Sequence, residues 1–286
     1  MAQLSAVAQI EFDALVKAAY QSAGVIPLNS VRVKSNVVGE FTDFRTKESI
    51  ISTDLGFGDA VTPQDGGFDK ETARLLKKVA SASTDKVEDL TVNFDSKMEL
   101  ADLVGKAMGR RRDQTILDAL TAATLPAENI IGPNTTGLTY EKVIRANERL
   151  DDLAVPPNER TFLLSARAQS YAFNIAQFTD NDFSNVGEGG NRIRSGSFNN
   201  SMSLSFMWRI IPAMAEGGLP KTGNIRSLFV YDKMAVGLAL GMDQMTSISY
   251  ENKNLSWLIN GVQFLGGVVI DPKGVIRIDI DESVAI

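Results

Sequence analysis

Three places hold carboxylates close enough in sequence to share a proton or a metal ion: Asp151 with Asp152, Asp180 with Asp182, and Asp279 with Asp281 and Glu282. Such groups could support general acid and base chemistry or hold a divalent cation. The first pair closes a helix, the second sits in a polar loop, and the third reads as the solvent face of a strand. A cation fits only the second, and no EF-hand spacing supports it. Ser165 with Arg167, and the Ser/Lys pairs elsewhere, have no neighbour that would activate a nucleophile. The chain contains no histidine and no cysteine. Their absence excludes Ser-His-Asp and Cys-His sites, imidazole or thiolate zinc sites, haem attachment and disulfide frameworks. Gly56 to Gly58, Gly187 to Gly190 and Gly237 to Gly241 lack the strand, turn and helix order of a phosphate cradle, and none carries the Lys-Ser/Thr pair. No catalytic residue, cofactor site or metal site is expected, and the chain does not read as an enzyme. Arg110, Arg111 and Arg112 are the one concentrated charge. Consecutive residues point in different directions around a helix, which favours local ion pairs over a phosphate contact.

Stepping outward, the 286 residues suggest one large domain or two closely joined ones. Lys and Arg number 29 against 35 Asp and Glu, a formal charge of −6, the wrong sign for a protein that grips nucleic acid. The N-terminus has no basic n-region, and no run of 18 apolar residues could span a membrane. A soluble, cytosolic protein is expected.

Residues 1 to 23 place Leu4, Val7, Phe12, Leu15 and Ala19 at helical spacing. That face serves either core packing or docking on another subunit. From Val37 the pattern turns to strand, over 37 to 52 and again over 73 to 92, around a stretch (55 to 71) with four glycines and a proline. The simplest assembly is a two-stranded hairpin roughly 50 Å long, which its own domain can scarcely bury. Phe57 and Phe68 at its tip should be covered only by other chains. A single subunit should then expose well over the roughly 12,000 Å² of a compact monomer of this mass.

Residues 95 to 123 carry the strongest helix pattern, capped by Asp95 or Ser96. Its apolar side changes from Leu100, Leu103, Val104 and Ala107 to Ile116, Leu117 and Leu120, with Gly105 and Gly109 allowing a close approach or bend. Thr139 caps a further helix stopped by Pro156 and Pro157, RTFLLS (160 to 165) is a buried strand, and Ser165 caps the helix after it. Residues 179 to 201 form a polar loop. Strands follow at 203 to 211, 227 to 232 and 245 to 251, and VQFLGGVVI and GVIRIDI read as a hairpin closed by Asp271-Pro272-Lys273-Gly274.

Several stretches taken together resemble tailed-bacteriophage major capsid proteins, whose fold is shared with encapsulins and the herpesvirus capsid floor. They are KKVASASTDKVEDL (77 to 90), ERLDDLAVPPNERTFLLSARAQSYAF (148 to 173), RIRSGSFNNSMSLSFMWRIIPA (192 to 213) and FVYDKMAVGLALGMD (229 to 243). The resemblance covers nearly the whole chain and implies an α+β fold. It assigns residues 1–36 to an N-terminal arm, 37–93 to an extended β-hairpin loop and 94–138 to a peripheral domain with its spine helix. An axial domain over 139–240 and return strands to the peripheral domain over 241–286 complete it.

The resemblance further implies a structural subunit that self-assembles into hexamers and pentamers of an icosahedral shell around double-stranded DNA. Its partners would be copies of itself, a scaffolding protein, a portal and, where one is used, a decoration protein. DNA would be held by proximity alone, with no membrane and no cofactor. The place of action would be the virion, assembled in the host cytoplasm. Phe57, Phe68, Phe12 and Leu15 become candidates for contact between subunits, and Arg110 to Arg112 for a salt-bridge or phosphate cluster. Some relatives join neighbours by a Lys to Asn isopeptide bond; Lys47 or Lys70 could supply the amine, but no partner is identifiable and the bond is not predicted. An encapsulin-like compartment shell is the alternative reading, and a carboxylate-dependent metal enzyme using Asp180 and Asp182 the third.

Overall fold

Two sheets and one long helix carry the chain. The computed structural model describes residues 24–47, 66–85, 96–175, 202–252 and 254–285, with positions 50, 52, 54, 56, 57, 60, 63 and 178. The expected N-terminal helix, with Phe12 and Leu15, and the loop 179 to 201 lie outside the described residues.

The four-stranded sheet has the order β1, β11, β12, β4, formed by Arg32–Lys34, Val236–Glu251, Ser256–Val269 and Leu76–Asp85. β1 runs parallel to β11 and the other neighbours are antiparallel. Helix α1 (Ser96–Ala122) crosses this sheet as one uninterrupted α-helix. Its first half packs Leu100, Val104 and Met108 on Ile259, Ala80 and Ala82. Its second half places Ile116, Leu117 and Leu120 in the main core. The change of apolar side is therefore a passage between two neighbours, as the spacing implies. Glycines on the strand add to the close approach: a Cβ on Gly261 would lie 2.6 Å from Val104 and one on Gly267 2.9 Å from the Thr115 carbonyl, while on the helix a Cβ on Gly105 would lie 3.1 Å from Gln244 Nε2.

The second sheet has seven strands. Its main order is β5 (Ile130–Ile131), β13 (Val275–Asp281), β10 (Ile225–Asp232), β6 (Arg160–Ser165), β8 (Phe206–Ile211) and β7 (Met202–Ser203). β9 (Lys221–Thr222) also pairs with β10. All six residues of β6 are buried, the apolar Phe162, Leu163 and Leu164 together with Arg160, Thr161 and Ser165. Helix α2 (Tyr140–Asp152) starts where Thr139 Oγ1 accepts from Lys142 N, and buries Val143, Ala146 and Leu150. Helix α3 (Ala166–Phe173) starts where Ser165 Oγ accepts from Ala168 N. Phe162, Phe178, Phe206 and Trp208 form an edge-to-face aromatic group in the core.

Two sequence expectations are corrected. The long ribbon is two structures: β2 (Phe41–Lys47) pairs with β3 (Phe68–Arg74) over seven residues, while β4 leaves to pair with β12. The reason is a change of parity. Ala73 and Leu75 point inward, but from Lys78 the even positions face α1, so the inward side flips across Leu76 and Lys77. The terminal hairpin is not one either: β12 pairs with β11 and β4, while β13 pairs with β10 and β5. Asp271-Pro272-Lys273-Gly274 passes the chain between sheets, held by Asn129 Nδ2 donating to the carbonyls of Pro272, Lys273 and Val275. β13 thus lies between β10 and β5.

Candidate functional site: an exposed arm and its anchorage

In the ribbon of β2 and β3, nine of the fourteen strand residues are exposed. Its root is fixed by a small cluster of Phe44, Ala73, Leu75, Ala239 and Ile270. Glycines let the root close: a Cβ on Gly266 would sit 2.1 Å from the Arg74 carbonyl oxygen, and one on Gly237 would sit 3.0 Å from the Phe44 ring. Beyond the root the ribbon holds itself by exposed polar contacts. Thr72 Oγ1 donates to Asp43 Oδ1 at 2.7 Å, Lys70 pairs with Asp43 at 3.5 Å, and Arg74 Nε donates to Glu40 Oε1 at 2.8 Å. The Thr72 bond, aided by Lys70, keeps the Asp43 carboxyl below its ordinary pKa. Lys47 Nζ lies 5.0 Å over the Phe68 ring. Exposed pairs of this kind contribute little.

Phe57 is fully exposed and Phe68 is 69% exposed, so neither tip aromatic is covered by its own subunit. Ile50 and Phe41 are exposed with them. The chain as a whole exposes 16544 Å², well above the roughly 12,000 Å² of a compact monomer of its mass.

Arg110 to Arg112 do not act as one cluster. Arg111 reaches Glu216 at 3.4 Å, and Arg112 Nε stands 4.0 Å from Asp113. Asp113, one position on, is the buried member: its Oδ2 accepts from Val25 N at 2.5 Å and Ile26 N at 3.1 Å, fastening the segment that precedes β1 to the long helix. Burial raises its pKa, opposed by those two bonds and by Arg112. Spacing from Gly109, Ile116, Leu117 and Leu120 places Asp113 on the apolar side, a signal that reading the arginines alone passes over.

The acid clusters resolve into structural pairs. Asp151 accepts from Arg160 at 2.7 Å, and Asp152 lies 4.0 Å from Arg149. Asp180 and Asp182 lie outside the described residues. The third cluster is corrected: it is no solvent face. Asp279 is buried and accepts from Ser227 Oγ at 2.7 Å. Glu282, its side chain 8% exposed, accepts from Arg226 at 2.6 Å, Ser165 Oγ at 2.9 Å and Lys221 at 3.0 Å. Burial would raise the Glu282 pKa, but the donors from Arg226, Lys221 and Ser165 outweigh it and hold it below normal.

Two buried cations also escape the sequence reading. Arg160 bonds Pro156 O, Asn147 Oδ1, Asp151 Oδ1 and Val155 O. Lys142 Nζ donates to the carbonyls of Pro133, Thr136, Gly137 and Asp279. Among the described residues, no group of three or more acids could hold a metal ion, and no helix is long and apolar enough to cross a membrane. What this surface can do is bind: a largely polar arm presents a few uncovered apolar side chains, Phe41, Ile50, Phe57 and Phe68.

Solved shells share this architecture. The capsid of cyanophage P-SCSP1u is similar at 15% identity over 90% of this chain and 88% of that one, with a TM-score of 0.66. A chain of Mycobacterium phage Che8 matches at 14% identity over 91% and 92%, with a TM-score of 0.64. The capsid of an empty GTA particle matches at 12% identity over 90% and 91%, also at 0.64. No curated protein matches in sequence. The α+β fold is that of tailed-phage major capsid proteins. The phage capsid protein family matches residues 4–282, and the chain belongs to that family. It is a structural capsid subunit and a component of a virion.

Proposed function

We propose that this subunit assembles into hexamers and pentamers of an icosahedral bacteriophage capsid that encloses double-stranded DNA. The observation that carries the reading is the arm, whose tip aromatics Phe57 and Phe68 have no cover in their own subunit. A surface of that kind needs a partner, and a head-to-tail contact between identical copies closes into rings and shells. Phe57 and Phe68, with Phe12 and Leu15 of the N-terminal arm, are the proposed contacts. In this reading α1 and the four-stranded sheet form the peripheral domain, and the seven-stranded sheet, β13 included, the axial domain. A scaffolding protein, a portal and, where used, a decoration protein act on the shell in the host cytoplasm. The net charge of −6 suits a wall that leaves packaged DNA mobile rather than gripping it.

Negative-stain microscopy of the expressed chain, alone and with its scaffolding protein, should show rings or closed shells. A monodisperse monomer under every condition would overturn the proposal. A compartment shell would share the fold, so nuclease-protected double-stranded DNA inside particles from infected cells separates the two readings.

A further inference from the structure

We infer that Lys78 of β4 and Arg111 of α1 form a seat for a carboxylate on the arm tip of a second copy of this chain. The inference rests on the shell reading above and names the chemistry of one of its contacts.

Lys78, Ala80, Ala107, Met108 and Arg111 line a cleft of about 380 Å³ between β4 and α1, with Glu216 at its margin. Lys78 is half-buried on the side of β4 that faces the helix, and among the described residues its ammonium makes no hydrogen bond or ion pair. Burial and the neighbouring Arg111 both disfavour its charge. Two acids are near. Glu216 meets Arg111 at 3.4 Å, a long contact between two part-exposed side chains that contributes little. Asp118, which accepts from Gln114 Nε2 at 2.6 Å, favours the Lys78 charge and partly offsets the effect of burial and Arg111. Lys77, Lys78 and Arg111 line the cleft against Glu216, over a floor of Ala80, Ala107 and Met108, so its lining carries a surplus of positive charge that an incoming carboxylate would reduce.

The chain itself supplies such a group. Residues 48 to 67 contain Glu48, Asp54, Asp59 and Asp65 and no lysine or arginine, a net charge of −4. Asp54 is exposed there, three positions before the exposed Phe57. The tip thus offers an acid and an aromatic ring, and the seat offers cations beside Val79, itself 55% exposed. A subunit's own tip is badly placed for this. The seven paired residues of the ribbon, roughly 23 Å of strand, carry it away from Leu75, while Lys78 lies on the far side of Leu75 along the chain. A phosphate of packaged DNA is the other anion that the seat could take. The tip's charge and its need for cover favour the second copy.

The test is charge reversal in the full chain. Lys78→Glu with Arg111→Glu should cut the yield of shells roughly tenfold or more, the cost of like charges juxtaposed at an interface, while the unassembled subunit keeps its circular dichroism and melting. Adding Asp54→Lys and Asp59→Lys to the same chain should restore shells. Should the reversed pair fail to fold, Lys78→Met with Arg111→Met removes the attraction without adding repulsion and should still lower the yield. Normal shell yield from the reversed pair, loss without rescue by the reversed tip, or normal shells that lose only their DNA would each overturn the seat. Failure of the wild-type chain to assemble would instead defeat the shell reading.

Discussion

Replacing Lys142 by methionine keeps an unbranched apolar stem and removes the terminal ammonium with its charge and its donors. Four carbonyl oxygens converge on Nζ: Pro133 at 2.8 Å, Gly137 at 3.1 Å, and Thr136 and Asp279 at 3.2 Å. An ammonium has three protons, and each bond from a charged donor is worth about 2 kcal/mol, so the substitution forfeits about 6 kcal/mol and strands the carbonyls. Against this stands the cost of burying the charge. Burial lowers the Lys142 pKa from 10.5 to about 8, opposed by Asp279 and Asp281. At 1.36 kcal/mol per unit that cost is about 3 kcal/mol, which methionine escapes. The net loss is about 3 kcal/mol, in line with removing one partner of a buried charged network.

With a urea dependence of about 3 kcal/mol per molar for a chain of this size, the unfolding midpoint of the unassembled subunit should fall by about 1 M. The pH profile supplies a second readout. Because the folded pKa lies below the unfolded one, the unfolded state binds more protons between pH 8 and 10.5, and the wild type should gain stability as pH rises through that window. The variant should lack this gain. An unchanged midpoint at pH 7, or parallel pH profiles for the two proteins, would refute the reasoning.

Gly266→Ala would drive a Cβ against the Arg74 backbone at the root of the arm, and should cost about 1 to 3 kcal/mol; hydrogen exchange should show faster opening of β3 with the seven-stranded sheet unaffected. Glu282→Gln removes the charge that Arg226 and Lys221 share, and should cost about 2 kcal/mol near pH 7. Since the Glu282 pKa is held below 4.5, its contribution is complete above that value and lost as pH falls through the folded pKa, so the two melting curves should converge in acid and separate above pH 4.5.

Local signals carried far in this chain. Thr139 and Ser165 announce their helices because each hydroxyl satisfies a backbone N–H that the first helical turn leaves open. Phe162, Leu163 and Leu164 within RTFLLS announce a buried strand. The pairing of strands was less accessible, because Asp271-Pro272 specifies a turn but not which strands meet across it. β12 alternates between buried and half-buried positions, whereas β13 is buried on nearly every residue, and that difference marks two sheets. Lys142, Arg160 and Glu282 stayed hidden for a different reason. Their partners are largely backbone carbonyls or side chains distant in sequence, so no spacing rule reaches them. Phe57 and Phe68 were accessible because a ribbon rich in glycine at its tip has no local means of covering an aromatic ring.

The ladder between β4 and β12 has a mechanical consequence. Ten residue pairs, from Leu76 with Leu265 to Asp85 with Ser256, follow the arm with only Leu75 between. A pull on the arm along the strand axis loads those pairs together, in shear, rather than unzipping them one after another. Such a joint resists tension far better than the modest strength of any single backbone bond suggests. A shell whose subunits hold one another by their arms would draw its resistance to internal pressure from this ladder.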